Sequence, residues 1–144
     1  MVSYMKRATL IDLYHVYLHL SKYLGGESSD LLLRIRNLMY DPRYSFWLAE
    51  GLVVVLEVDK DCDTHILVHP YADEGSRGRV LIQALAILEE LVKDSYDKVL
   101  FKPPRSAKHI RRLLGSRPGV TKVDEDTYEY SLKAGYVCDT LEGK

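Results

Sequence analysis

The chain has 144 residues, of which 47% are hydrophobic and 28% are charged, and its formal net charge is -1. These values are ordinary for a globular protein. A chain of this length provides one hydrophobic core, so we predict a single domain over residues 1–144. A net charge near zero creates no overall field that would favour DNA, RNA or an acidic membrane, and it therefore disfavours a nucleic-acid partner.

Cysteine usage and the N-terminal segment bear on the compartment. Cys62 and Cys138 lie far apart and outside any metal-ligand spacing, so we expect two free thiols and no metal site. The first apolar stretch follows Lys6 and Arg7 but is interrupted by charged residues and histidines. It has the pattern of neither a secretory signal nor a membrane span. We therefore expect a cytoplasmic protein with no membrane partner.

The first half of the chain predicts two helices followed by a hairpin. Thr9 and Asp12 have the spacing of a capping box at a helix start, and Gly25-Gly26 ends that helix. Pro42 closes the second helix, because the residue before a proline disfavours a helical conformation. In chain order we predict a strand at residues 2–5, a helix from Thr9, a helix capped by Ser28 or Ser29, and a hairpin of residues 44–50 and 52–59 around Glu50-Gly51.

The second half alternates strands and helices. Residues 64–70 are mostly apolar, which predicts a strand buried on both faces. A strongly amphipathic helix separates this strand from the next one, and such a crossover predicts that the two strands are parallel. The predicted elements are a strand at 64–70, a helix at 79–93, a strand at 98–102, a helix at 106–115, and two strands within 119–133 around an acidic turn at 124–126.

The junction between residues 70 and 81 predicts an anion site. A helix N-terminus leaves backbone N–H groups unpaired and carries the positive end of the helix dipole, so it attracts phosphate. Gly78 would allow the backbone to approach closely, and Arg77 and Arg79 would add charge-assisted donors. The alternative is purely structural: Gly78 only starts a helix, and both arginines face water.

The element order, β-α-α-β-β-β-α-β-α-β-β, resembles that of the GCN5-related N-acetyltransferase (GNAT) family over nearly the whole chain. Two segments carry the likeness. RATLID at residues 7–12 is similar to the opening motif of the family. VHP followed by RGRVL, within residues 68–81, is similar to its acetyl-CoA motif. The closing DEDTYEYSL resembles the last hairpin of GNAT proteins encoded by bacteriophages.

The resemblance implies an α/β fold with a mixed sheet of six or seven strands flanked by four helices. It also implies acetyl transfer from acetyl-CoA to a small-molecule or protein amine. Backbone groups of the strand would pair with the pantetheine arm, and the following loop would hold the pyrophosphate. Cofactor binding is thereby assigned to Leu67, Val68, His69, Arg77, Gly78, Arg79 and Val80.

The chain departs from the family's pattern in three places. The spacer between Pro70 and Arg77 is longer and contains Asp73-Glu74, whose charge would repel phosphate if it faced the site. Val80 stands where the family prefers glycine or alanine, and its branched side chain could press against the pyrophosphate. The helix after the fifth strand contains no tyrosine, the family's usual proton donor, and an arginine falls near that position.

Acetyl transfer to an amine requires a base for the amine, donors for the developing oxyanion and an acid for the leaving thiolate. Histidine titrates near neutrality and suits proton transfer. We predict His69 and Glu57, on the central strands, as the base and His109 as the acid. Glu50 and His65 are further candidates for the base, and His65 shares a strand face with His69. A backbone amide near His69 would serve the oxyanion.

Three functional hypotheses stay open. The first is the N-acetyltransferase. The second is a GNAT-fold protein that has lost catalysis and serves as a binding or assembly module, for example in a phage particle or its replication machinery. The third is a small nucleic-acid-binding domain that uses the basic segment 105–112 together with Arg117. The sequence names no acceptor, and a homodimer is also left open.

Overall fold

The computed structural model describes residues 5–73 and 78–132, and these form one mixed seven-stranded sheet with four α-helices. The elements are β1 Lys6–Arg7, α1 Leu13–Ser21, α2 Ser29–Tyr40, β2 Tyr44–Ala49, β3 Leu52–Val58, β4 His65–Ala72, α3 Gly78–Val92, β5 Lys98–Phe101, α4 Lys108–Ser116, β6 Val120–Asp124 and β7 Thr127–Ser131. The strand order is β1-β2-β3-β4-β5-β7-β6, which confirms the predicted fold class. The strand predicted at residues 2–5 lies almost wholly outside the described residues.

Local capping decides where the first two helices begin. The Thr9 backbone N–H donates to the Asp12 carboxylate at 2.9 Å, so the predicted capping box is present. The first turn is a tight 3-10 turn, and α1 proper starts after it. Ser28 caps α2, because its hydroxyl oxygen accepts the Leu31 N–H at 3.1 Å. Both helices therefore begin at signals that the sequence contains.

The sheet separates two apolar clusters. Strand β3 contributes to both, because its side chains alternate between the two faces. Val54 and Leu56 join the cluster that includes α3 and α4, where Phe101 is fully buried. Val53 and Val55 join the cluster that includes α1 and α2. The sheet is thus the middle layer of the fold.

Strands β4 and β5 are parallel, as the crossover through α3 predicts, with Ile66 beside Val99 and Val68 beside Phe101. The prediction that β4 is buried on both faces was wrong for one of them. Ile66 and Val68 are buried, but the residues that alternate with them are only half-buried. The reason is that α1 and α2 cover the second face incompletely and leave a pocket there.

Strand β4 extends beyond the end of β5. The paired register ends at Val68, whose carbonyl accepts the Lys102 N–H at 2.8 Å. Because backbone groups alternate in direction along a strand, Pro70 and Ala72 also face the β5 side. Pro70 has no N–H and cannot donate the next ladder bond. The sheet therefore divides past Val68, and α4 approaches β4 across the gap.

Candidate active site

Three polar side chains meet on neighbouring strands of the face that α1 and α2 cover. Tyr44 on β2 lies directly opposite Glu57 on β3, and Glu57 lies diagonally across from His69 on β4. The Tyr44 hydroxyl donates to Glu57 Oε2 at 3.1 Å, and His69 Nε2 lies 2.8 Å from Glu57 Oε1. The structure therefore brings together two of the residues predicted for catalysis.

The hydrogen bonds of this cluster leave one ring nitrogen of His69 available. An ionised carboxylate only accepts hydrogen bonds, so the His69 Nε2–H must be the donor toward Glu57. In the neutral ring Nδ1 then carries a lone pair and can accept a proton. The His69 and Glu57 side chains are 22% and 25% exposed, so a ligand can reach them. The pair has the geometry of a base with an orienting carboxylate.

Tyr44 is the member of the cluster that sequence reasoning missed. Burial raises the pKa of the Tyr44 hydroxyl, and the Glu57 carboxylate raises it further. The hydroxyl therefore stays protonated and continues to donate to Glu57. Its position opposite Glu57 depends on the register of the hairpin, which an amino-acid pattern alone does not specify.

These polar groups line a pocket of about 220 Å³ between the sheet and the two helices α1 and α2. Most of its wall is apolar, formed by Leu20, Leu31, Ile35, Leu38, Phe46 and Val55. Leu24 and Arg34 also line it, and both are exposed, so they mark its mouth. A small molecule in this pocket would have an apolar body and a polar end at Glu57 and His69.

The other candidates for the base lie elsewhere. His65 shares a strand face with His69, as predicted, but its Nε2 lies 2.8 Å from Asp59 at the opposite end of β4. Glu50 is exposed in the turn between β2 and β3. Neither residue lines the pocket.

The start of α3 carries part of the predicted cofactor site. The N–H groups of Gly78, Arg79 and Val80 belong to the first turn of a 15-residue helix and have no partner within it. Arg79 is exposed and can add its charge. The Val80 side chain is half-buried and packs against the apolar cluster beneath α3, and the expectation that it crowds a phosphate stays a prediction. Arg77 lies outside the described residues.

The strand part of the predicted cofactor site needs correction. Leu67 and Val68 are paired with β5, so their stretch of β4 has no open edge. The N–H of His69 points toward β3, because it lies opposite Val55 and backbone directions alternate. The amide of His69 itself therefore cannot serve an oxyanion in the gap. From Pro70 onward β4 has no β5 residue beside it, and this stretch is the open edge of β4. Both backbone groups of Ala72 face this edge.

Helix α4 packs onto this open edge. His109 Nε2 donates to the Ala72 carbonyl at 2.9 Å, and the Tyr23 hydroxyl donates to the same oxygen. A Cβ on Gly78 would lie 2.5 Å from Leu113 Cδ2. Any side chain in place of Gly78 would therefore require the end of the half-buried Leu113 side chain to shift. The N–H groups in the first turn of α3 are suited to an anionic group. A pantetheine arm that paired with the open edge of β4 would compete with His109 for the Ala72 carbonyl.

Acidic neighbours pair with three of the five cations formed by the basic segment and Arg117. Arg105 and Arg111 contact Asp126, at 2.9 Å and 3.5 Å. Arg117 forms a two-pronged ion pair with Glu89 at 2.6 Å and 2.7 Å, and its guanidinium lies 4.4 Å from the Tyr130 ring centre. Lys108 and Arg112 are exposed and form no ion pair with the described residues, so two cations of the segment remain for a phosphate backbone.

Membrane spans and metal clusters are both absent from the described residues. No helix among them is long and apolar enough to cross a bilayer. Within the same residues, no three side chains of the metal-binding types cluster closely enough to hold an ion. His15 and His19 lie one turn apart on α1 with ring centres 6.5 Å apart, and Asp73 lies 3.5 Å from His19, but these described side chains do not form a group that could hold an ion.

No protein-family model matches the chain, and no curated protein matches it. Its fold, however, is similar to solved structures. A ribosomal-protein-alanine N-acetyltransferase from Brucella melitensis biovar Abortus 2308 has a TM-score of 0.65 and 14% identity, over 87% of this chain and 96% of the other. An aminoglycoside acetyltransferase in complex with coenzyme A and kanamycin has a TM-score of 0.66 and 13% identity, over 96% and 99%.

A third solved structure with a similar fold is described as a member of the GNAT family. This protein, from Desulfovibrio desulfuricans, has a TM-score of 0.63 and 10% identity, over 92% of this chain and 99% of the other. The likeness extends over nearly the whole length of each protein, as the element order does. The chain therefore has the GCN5-related N-acetyltransferase fold.

Proposed function

We propose that the protein transfers an acetyl group from acetyl-CoA to an amine held in the pocket beneath α1 and α2. The observation that carries this proposal is the His69–Glu57 pair in the pocket wall, with Tyr44 fixing the carboxylate. Similar structures include spermidine N-acetyltransferases and the aminoglycoside enzyme, which act on amines. This chain combines their fold with a histidine–carboxylate pair that lines a cavity.

His69 is the proposed base. As the amine nitrogen forms its bond to the acetyl carbon, the proton that it loses passes to His69 Nδ1. The resulting imidazolium is stabilised by Glu57, which accepts hydrogen bonds from the His69 Nε2–H and from the Tyr44 hydroxyl. The three residues therefore act in sequence: His69 moves the proton, Glu57 orients and stabilises the ring, and Tyr44 holds Glu57.

Acetyl-CoA would supply the acetyl group as a thioester. The N–H groups of Gly78, Arg79 and Val80 would hold its phosphates at the start of α3, and we expect Arg77, which precedes them in the sequence, to contribute. His109 reaches the open edge of β4 from α4, and we assign to it the proton for the sulfur that leaves as the C–S bond breaks. The proton gained at His69 balances the proton given by His109.

The test combines binding with turnover. Calorimetry with acetyl-CoA and with CoA should show saturable binding, and acetyl transfer to a panel of amines should be detectable. His69→Gln should lower kcat by about 10²–10⁴-fold, the usual contribution of a proton-transfer group. His65→Gln is the matched control, because His65 lies on the same face of β4 but contacts Asp59. Equal kcat in the two variants, or no acetyl-CoA binding, would overturn the proposal.

A second candidate function is supported by the packing of α4. Leu113 against Gly78 and His109 on Ala72 close the region where the cofactor would enter. A GNAT-fold protein that binds a partner without catalysis would keep this arrangement. Acetyl-CoA binding without transfer to any amine would favour it. An assembly role in a phage, a homodimer and a cytoplasmic location stay predictions.

A further inference from the structure

The charge of the pocket lining is unusual for a site that would bind a polyamine. Glu57 is the one acidic side chain among the lining residues, all of which lie in the described part of the chain. Both of its oxygens already accept hydrogen bonds, from His69 and Tyr44. Arg34 stands at the mouth, and no carboxylate of the described residues forms an ion pair with it. The pocket lining therefore carries one negative charge, on Glu57, and one positive charge, on Arg34.

We propose that the acceptor is a small amine with a single positive charge and an apolar body, an inference that rests on the proposed function. The amine end lies at His69 and Glu57, and the apolar body lies along Leu31, Ile35 and Leu38, which occupy one face of α2. A second ammonium group would enter an apolar wall or meet Arg34. Burial of an unpaired charge in such a place is strongly unfavourable.

The size of the pocket supports a small acceptor. Its volume of about 220 Å³ lies below the roughly 300–1,000 Å³ of sites that enclose drug-sized ligands. An aminoglycoside with several rings would extend far beyond it. The polycations named for the spermidine and aminoglycoside enzymes therefore fit this pocket poorly in both size and charge.

The experiment compares hexylamine with hexane-1,6-diamine, two probes of equal chain length that differ in one terminal ammonium. Each is titrated into isotope-labelled protein without acetyl-CoA, and the amide signals of His69 and Tyr71, both in the pocket wall, report binding. To enter the apolar part, the diamine must shed the proton or the water of a group whose pKa is close to that of lysine, about 10.4. We expect hexylamine to bind at least about tenfold more tightly.

A charge reversal at the mouth sharpens the comparison. Arg34→Glu places an acidic side chain where the second ammonium would emerge, and it should remove the preference for hexylamine or reverse it. Arg36→Glu is the matched control, since Arg36 is exposed on the same helix but does not line the pocket. Both positions are exposed, so neither variant should disturb folding.

The outcomes separate this inference from the proposed function. Equal or tighter binding of the diamine by the unaltered protein would overturn the inference, and so would binding of neither probe. An effect of Arg34→Glu no larger than that of Arg36→Glu would also overturn it. Selective binding of hexylamine together with failure of acetyl transfer would contradict the proposed function while the pocket's preference for a single charge stands.

Discussion

The two faces of the sheet are packed to different degrees. On the face covered by α3, the space among Leu85, Leu88 and Phe101 amounts to about 10 Å³, too small for more than one water molecule. On the face covered by α1 and α2, the pocket is about 220 Å³. Both faces are built from the same types of apolar residue. The dense face holds the fold together, and the hollow face offers Glu57 and His69 to a ligand.

The largest expected effect is on the free energy of unfolding. One substitution on each face of the sheet tests the difference in packing. Leu88→Ala, on the dense face, removes a side chain that is 3% exposed and should lower the free energy of unfolding by about 2–5 kcal/mol. Leu38→Ala, on the hollow face, removes a half-buried side chain and widens an existing pocket, so we expect a loss below about 1.5 kcal/mol. Urea unfolding measures both, and equal losses would contradict the contrast.

The next effect concerns the edge of β4, where α4 bridges the two halves of the sheet. His109→Ala and His109→Gln both remove the proposed proton donor, and both should lower kcat by about 10²-fold or more. Glutamine can still donate a hydrogen bond to the Ala72 carbonyl, and alanine cannot. If His109→Gln keeps normal kcat while His109→Ala does not, His109 only positions α4.

A smaller effect is expected where α3 and α4 touch. Gly78→Ala places a methyl group 2.5 Å from Leu113 Cδ2, the end of a half-buried side chain, and moving that side chain aside should cost about 0.5–1.5 kcal/mol. Combining it with Leu113→Ala should recover part of the loss, which a double-mutant cycle detects. Gly115→Ala is the control, because a methyl there meets Tyr128 at an ordinary 3.7 Å. Similar losses of stability in Gly78→Ala and Gly115→Ala would show that contact with Leu113 does not cause the loss at Gly78.

The smallest effect is a pH dependence of stability that arises from His19 on α1. Burial lowers the pKa of His19, although Asp73 partly opposes this. The unfolded chain then binds the proton more readily than the folded one, so stability is lost as pH falls through the unfolded value of 6.5. His19→Leu should flatten the stability profile between about pH 7.5 and the lowered pKa. The exposed His15 on the same helix provides the control variant, and an unchanged profile in His19→Leu would contradict the assignment.

Local and periodic features of the fold could be predicted from the sequence. The capping box of Thr9 and Asp12 depends on residues three positions apart, and the parallel pairing of β4 and β5 follows from a strand-helix-strand pattern. The hairpin that contains the acidic turn at 124–126 is likewise present. Each of these features is determined by residues that are close in the sequence or by the periodic spacing of apolar residues within one helix or strand.

The features that could not be predicted depend on contacts across the sheet. Tyr44 joins Glu57 only because of the register of β2 and β3, and Leu113 meets Gly78 only because α4 packs onto the start of α3. The packing of Val80 was not predicted for the same reason, since its packing partners lie beneath the helix. Sequence spacing identified the candidates Glu57 and His69 but not their hydrogen bond.

Pro70 has a consequence for how the molecule unfolds. Because it cannot extend the ladder toward β5, β4 and β5 share four residue pairs, whereas β3 and β4 share seven. The sheet thus consists of an antiparallel block, β1 to β4, and a second antiparallel block, β5, β7 and β6, joined by the parallel pair β4 and β5. This join comprises as many residue pairs as the β5–β7 ladder, so it is no weaker than the second block itself. The consequence of Pro70 is local: Ala72 lies beyond the join, and its amide should exchange with solvent faster than that of Val68, which lies within it.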